Sequence, residues 1–445
     1  MEKHSYNGFT LSMYFLYSSL LALAVLLSSP WWLLRMARYG KYREGLGERL
    51  GVVPQRIRTG NPRRAIWIHA VSVGEVLAIA ALAERLRSEF SEHRLVISTT
   101  TSTGQGLARK RFGEENVFYF PLDFGFCIRP YLRELRPELV VVAETEFWPN
   151  FLRSAKSSDA QIAVVNARIS DRSFPRYRRW RGLLHRVLAG VDVFCAQTQD
   201  DARRLREIGA PGERVQVSGN LKFDIQPPGE TPLVAQLRAA IREGGVGPVI
   251  VAGSTVEGEE ELLLNDFAMV QPVFPNTLLI LAPRHPERFQ SVGGEVSKSG
   301  VPLIRRSEWN GSQLSHGVFL LDSIGELASV YALADAAVVG GSFAPRGGHN
   351  ILEPAWFAKP ILVGPHYQNF RDIVQQFCAG NAVLISEKGF LPLLDLLKNP
   401  AQAHDLGRRA RTVLDSQRGA TDRTLDQLRQ LLRAPAPQPE PHEVA

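Results

Sequence analysis

Cysteine is scarce in this chain: its 445 residues include 3, Cys127, Cys195 and Cys378, and no two form a CxxC pair. That excludes a disulfide scaffold and a zinc ribbon and fits a reducing compartment. The usual nucleotide signatures are missing too. No GxGxxG follows the first strand-like run of either half and GxxxxGK[ST] occurs nowhere, so neither an ordinary dinucleotide site nor a P-loop is expected. No repeat relates the two halves. With 44% apolar, 22% charged and 9% aromatic residues, the chain is not largely disordered, collagen-like or polytopic in a membrane.

Charge is present in slight excess of one sign, 52 Lys and Arg against 45 Asp and Glu, a net of +7. That balance is compatible with nucleic acid, anionic lipid or phosphorylated substrates as partners, and only the placement of the charges chooses among them. Residues 6–34 contain no charge at all. As a helix, residues 13–34 would extend about 33 Å against a hydrocarbon core of about 30 Å, enough to cross a bilayer once. Arg35, Arg38, Lys41, Arg43 and Arg49 follow this run and only Lys3 and His4 precede it, which puts everything after Leu34 in the cytoplasm. Arginine stands where a signal-peptide cleavage site would need small residues, so an uncleaved anchor is expected. A shallow interfacial helix is the alternative, because Pro30 can end the helix early.

Beyond Arg64 the pattern changes to short apolar, β-branched runs alternating with amphipathic helical stretches. Residues 66–69, 95–99, 117–121, 139–143, 162–165, 193–195 and 215–217 predict one series of strands. A polar, Pro/Gly-containing stretch at 225–231 interrupts it, and a second series follows at 249–252, 278–282, 319–321, 336–339, 361–363 and 383–385. Such alternation predicts βαβ units and parallel sheets. The expected class is α/β, with two Rossmann-like domains facing across a cleft behind an N-terminal membrane-anchor helix. The expected division is an anchor at 1–34, domains at 35–226 and 227–420, and a helix end with a Pro-rich, disordered tail at 421–445.

Ligands of open parallel sheets bind where strands end and helices begin. Ser72-Val73-Gly74-Glu75 follows the first strand. S-x-x-E before an apolar helix is a capping box, and a carboxylate beside a glycine at a cleft mouth is equally able to take a proton from a hydroxyl. Glu144 and Glu146 directly follow a hydrophobic strand, where two ordinary surface acids are not expected. Lys222 stands in the handover between the halves, either as a solvated linker residue or as a partner for an anion. In the second half, a glycine turn at Gly253-Ser254 precedes an acid-rich helix start; its amides suit a phosphate, and its acids suit the helix dipole equally well. The loop Pro283-Arg284-His285-Pro286-Glu287-Arg288 is pinned by two prolines and crowds two arginines and a histidine at its tip, which suits a phosphate or carboxylate. His285 has no second His or Cys at ligand spacing, so no metal is expected. Four glycines between Gly340 and Gly348 would let the backbone approach a ligand, and Asn350 with Glu353 repeats capping-box spacing. Carboxylates in one half, with cations and a helix-start glutamate suited to ribose hydroxyls in the other, are what a two-domain glycosyltransferase with a nucleotide-activated sugar requires.

The segments HAVSVGE (69–75), ETEFWPN (144–150), NARIS (166–170), GNLKFD (219–224), APRHPERF (282–289) and GGSFAPRGGHNILEP (340–354), in this order, closely resemble the 3-deoxy-D-manno-octulosonic acid (Kdo) transferases of Gram-negative bacteria. The resemblance implies a GT-B fold and transfer of Kdo from CMP-Kdo to a lipid A precursor, at the cytoplasmic face of the inner membrane. Matched residue by residue, it implies Glu75 as general base, Glu144 and Lys222 in transition-state roles, and CMP contacts at Pro283, Arg284, Ile324, Gly325, Glu326, Asn350, Ile351, Leu352 and Glu353. It implies no metal and no cofactor. The remaining partners expected are anionic inner-membrane lipid and no nucleic acid. Ser102, where many members have proline, is the one departure inside the matched segments' surroundings. A non-catalytic glycolipid carrier, or a UDP-sugar transferase or epimerase of the same fold, are the competing readings.

Overall fold

The computed structural model of the protein describes residues 2–39, 44–58, 63–387, 389 and 391–433. The chain divides into two compact units, Met1–Ile225 together with Arg418–Ala445, and Gln226–Gln417.

In the first unit, the predicted runs form seven parallel strands: β1 (Ala65–His69), β2 (Arg94–Thr99), β3 (Val117–Tyr119), β4 (Pro137–Ala143), β5 (Gln161–Ala167), β6 (Val193–Ala196) and β7 (Val215–Val217). Their order is β3-β2-β1-β4-β5-β6-β7. Successive strand side chains point to opposite faces. Thus Trp67 joins Phe118, Tyr131 and Phe151 in one core, while Ile66 and Ile68 join Val76 and Leu82 in the other. With helices covering both faces, each strand has to be apolar on both sides, which explains why the runs are continuous rather than alternating. The order reverses between β1 and β4, and residues just beyond those two strands line the crevice this creates.

The second unit holds β8 (Val249–Thr255), β9 (Leu278–Pro283), β10 (Leu303–Arg305), β11 (Gly317–Leu320), β12 (Ala336–Val339), β13 (Ile361–Val363) and β14 (Leu384–Ile385). This sheet is also parallel, ordered β10-β11-β9-β8-β12-β13-β14, with its reversal between β8 and β12. The strand absent from the sequence expectation is β10. Its three residues are all half-buried at the sheet edge, too short and too polar to show a periodicity.

Two terminal segments differ from expectation. The helix Ala420–Arg433 belongs to the first unit, so the second unit closes at Gln417 rather than at 420. Leu425 and Leu428 are fully buried in the first unit's core, and Arg429 forms a fork to both carboxylate oxygens of Glu89 at 2.5 and 2.6 Å. Asp224 accepts hydrogen bonds from the Gly419 and Thr421 amides (2.7 and 2.5 Å), tying the start of this helix to the GNLKFD loop. The tail at 434–445 lies outside the described residues.

The N-terminal helix runs from Glu2 to Tyr39, so Pro30 does not end it. Proline removes the donor that would have served the Leu26 carbonyl, and the Ser29 hydroxyl donates to that carbonyl instead at 2.7 Å. Ser12–Arg38, with mean hydropathy 1.6, is the one helix among the described residues long and apolar enough to cross a membrane. Its first turns are nonetheless packed on protein: Met13 and Tyr14 are buried in the first unit's core, and Ser18 accepts a 3.0 Å hydrogen bond from Asn150 of the helix Pro149–Lys156. Most of the leucines beyond are exposed, Leu27 by 72%. Arg35 and Arg38 follow on the helix; Lys41 and Arg43 lie outside the described residues.

Truncating Leu425 to alanine removes a buried side chain from the first unit only. We expect a loss of about 2–5 kcal/mol in that unit's unfolding free energy, with the second unit's transition unmoved, in urea melts followed by unit-specific fluorophores.

Candidate active site

Ser72 is held extended (φ −124°) and caps the helix Val73–Glu89, accepting from the Glu75 amide at 3.5 Å. The Glu75 carboxylate in turn accepts from the Val71 amide (2.8 Å) and the Ser72 hydroxyl (2.9 Å). The capping box is therefore formed, and it is also what fixes the carboxylate at the sheet's reversal point. Glu75 is only 8% exposed. Burial first, and the charge of Glu144 second, push its carboxyl up to about 7, against the pull of the Val71 and Ser72 hydrogen bonds. A raised carboxyl binds its proton more tightly folded than unfolded, so Glu75 ionisation lowers stability as pH rises from about 4.5 to about 7.

Glu144 directly follows β4 with φ 58°, a left-handed conformation uncommon for a non-glycine residue. Its amide remains bonded to the Val165 carbonyl (2.9 Å). The Glu144 Oε1 lies 3.5 Å from Lys222 Nζ. Burial, then the Glu144 charge, also raises the Glu146 carboxyl. The structure thus brings Glu75, Glu144, Glu146 and Lys222 into one electrostatic cluster.

What aims Lys222 is a chain of buried amides that sequence reasoning did not single out. Asn166, left-handed at φ 53° and buried, accepts from the Leu221 amide through Oδ1 (3.0 Å). Its carbonyl accepts from Gln197 Nε2 (3.0 Å), Gln197 Oε1 accepts from Asn220 Nδ2 (2.9 Å), and Asn220 Oδ1 accepts from the Lys222 amide (3.0 Å). The signal was available in NARIS and GNLKFD, where an asparagine ends or follows a strand at the same sheet edge.

In the second unit, Pro283 ends β9 and the Arg284 amide bonds the Thr255 carbonyl beside it (2.9 Å). The Arg284 side chain is exposed, and its charge is felt by two neighbours. His349 is depressed to about 4, chiefly by burial and then by Arg284 and His285. Burial pushes Glu353 up to about 7, opposed by the Asn350 hydrogen bond and by Arg284. Asn350 donates to Glu353 (3.2 Å) and accepts from the Leu352 amide (3.2 Å), so the expected Asn350–Glu353 pair is formed. Ile351 and Leu352 are buried beneath it. Ile324, Gly325 and Glu326 follow β11, the strand next to β9; Ile324 is 68% exposed, and Glu326 pairs with Arg306 at 3.3 Å.

Two readings of this half change. The acids at the start of the helix Glu259–Val270 do not simply complement its dipole, and three amides of the glycine loop are taken by one of them. Buried Glu259 accepts from the amides of Gly341 (2.7 Å), Phe343 (2.8 Å), Ala344 (3.0 Å) and Val256 (3.0 Å). Gly340 is required because a Cβ there would lie 2.7 Å from the Ser254 carbonyl and the Thr255 Cα. Arg288, expected at the ligand, instead forks onto fully buried Glu260 at 2.6 and 3.0 Å. Arg284 is left as the cation facing outward. Among the described residues, no group of three or more His, Cys, Asp or Glu side chains is placed to hold a metal.

Residues 44–225 match the 3-Deoxy-D-manno-octulosonic-acid transferase (kdotransferase) family. A Haemophilus influenzae 3-deoxy-D-manno-octulosonic acid transferase is 33% identical over 94% of this chain and 98% of its own length. A Bordetella pertussis protein of the same name is 35% identical over 82% of this chain and 86% of its own. The UDP-GlcNAc 2-epimerase of Neisseria meningitidis, solved with UDP-GlcNAc, aligns with a TM-score of 0.54 at 12% identity, over 82% of this chain and 100% of that one. It shares the GT-B-like fold.

Replacing Arg288 by alanine strands the buried Glu260 charge. We expect the second unit to lose about 3–5 kcal/mol in urea unfolding, with much of this regained in the Arg288→Ala/Glu260→Gln double variant.

Proposed function

The chain belongs to the 3-deoxy-D-manno-octulosonic acid transferases, a family of glycosyltransferases, and from this we propose that it moves Kdo from CMP-Kdo to a lipid A precursor with inversion, Glu75 acting as the base. The observation that carries the reading is Glu75 itself: a carboxylate fixed by two hydrogen bonds at the sheet's reversal point and raised to about 7, so that it exchanges a proton near neutral pH.

The acceptor hydroxyl gives its proton to the Glu75 carboxylate. Its oxygen forms the new bond to the anomeric carbon while the bond from that carbon to the CMP phosphate oxygen breaks, the electron pair leaving with CMP. The transition state is oxocarbenium-like. The first unit takes the acceptor, and Lys222, paired with Glu144, offsets negative charge close to the base. The second unit takes CMP. Arg284 is its outward-facing cation for the departing phosphate, and Glu353 accepts hydrogen bonds from ribose hydroxyls, with Pro283, Ile324, Gly325, Glu326, Asn350, Ile351 and Leu352 shaping that site. We further infer that the protein sits on the cytoplasmic face of the bacterial inner membrane, against anionic lipid; the apolar N-terminal helix, with Arg35 and Arg38 near its end, supports this reading.

The test is CMP release from CMP-Kdo with and without lipid A precursor. We expect release to require the lipid and to fall about 10²–10⁴-fold in Glu75→Gln, the protein remaining folded. Release undiminished in that variant returns Glu75 to a capping role alone. Binding of UDP in preference to CMP supports the UDP-sugar reading instead.

A further inference from the structure

The first unit carries a concavity of about 400 Å³ whose lining includes none of the residues assigned above to the transfer reaction. It lies between the helix Gly125–Leu135 and the helix Pro149–Lys156, and five arginines line it: Arg64, Arg129, Arg133, Arg136 and Arg153. No carboxylate among the described residues lines it. Arg64 has Glu138 at 3.4 Å, but Arg129, Arg133 and Arg153 have no acidic partner within ion-pair distance among the described residues. Arg136 takes the left-handed position (φ 42°) that closes the helix Gly125–Leu135, where glycine is the usual choice. Guanidinium forks match phosphate oxygens in pairs, so arginines gathered around one hollow with no carboxylate in its lining suit a phosphate.

Three features of the surroundings say where that phosphate comes from. Phe126, 69% exposed and stacked on Phe124 (5.3 Å between centroids), lies one and two turns ahead of Arg129 and Arg133, on the same helix face. An aromatic tip backed by arginines is the pattern of an element that enters a lipid interface. Asn150 lines the cavity and bonds Ser18 of the N-terminal helix. Arg153 lines it too, 4.5 Å from the Tyr14 ring of that helix. The helix therefore passes beside the hollow, carrying its row of exposed leucines. Met13, Tyr14 and Ser18 hold this helix against the first unit beside the hollow, while most of its later residues are exposed.

We propose that this arginine-lined cavity binds the phosphate headgroup of a lipid in the leaflet against which the N-terminal helix lies. It thereby orients the first unit on the membrane. The inference rests on the membrane placement proposed above. Binding to phosphatidylcholine vesicles tests that placement, and the increment from added phosphatidic acid tests the cavity.

Full-length protein is floated with phosphatidylcholine vesicles, with and without phosphatidic acid, at fixed ionic strength. Arg129→Gln/Arg133→Gln is compared with Arg35→Gln/Arg38→Gln, which removes equal charge from the N-terminal helix. We expect phosphatidic acid to tighten wild-type binding roughly tenfold, the cavity variant to lose that gain, and the helix variant to keep most of it. Both variants losing it equally would mean diffuse attraction and overturn the site. So would a cavity variant that keeps the gain, or inorganic phosphate abolishing it at a concentration equal to the lipid's, which would assign the cavity to a soluble anion.

Discussion

Carboxylates at the reversal point of the first sheet cannot all ionise cheaply where water is partly excluded. Glu75, Glu144 and Glu146 share that place with Lys222. The lysine stands 3.5 Å from Glu144, which leaves Glu75 to hold its proton up to neutral pH. Much of the first unit serves to keep this arrangement in place. The left-handed turn at Glu144, the capping bonds of Ser72 and the amide chain through Asn166, Gln197 and Asn220 each fix one member. Asp224 then fastens the Lys222 loop to the start of the helix Ala420–Arg433, so Gly419 and Thr421 steady a group more than 190 positions earlier.

The second unit is arranged around a different constraint, the burial of anions among amides and a guanidinium. Glu259 holds the glycine loop in shape from within, and Glu260 holds Arg288. These internal ligands leave Arg284 and the Asn350–Glu353 pair presented at the sheet edge. Three amides of a loop that looks open are thus taken by a carboxylate from another helix.

Both sheets were legible in the sequence because most of their strands are buried on two faces and read as unbroken apolar runs. The strand β10 was not, since three half-buried edge residues carry no such pattern. Glu75, Glu144 and Lys222 were visible as polar residues just past strand ends. That Glu75 is both cap and candidate base could not be read locally, because the answer depends first on burial in the folded unit and then on a charge 69 positions away. Arg284 and Arg288 look alike in sequence; only the buried Glu260, from another helix, tells them apart. The apolar run at 13–34 has the length of a spanning helix, yet the docking of its first turns on the helix Pro149–Lys156 is a tertiary contact that hydropathy does not report.

The mutual repulsion of Glu75 and Glu144 is measured most directly by carbon-13 NMR titration of glutamate-labelled protein, wild type beside Glu144→Gln, with Glu75 assigned through Glu75→Gln. Glu75 should titrate near pH 7 in the wild type and at lower pH once the Glu144 charge is gone. A Glu75 that titrates at an ordinary carboxylate pH in the wild type, or that does not move in Glu144→Gln, would contradict the electrostatic basis of its role as the base.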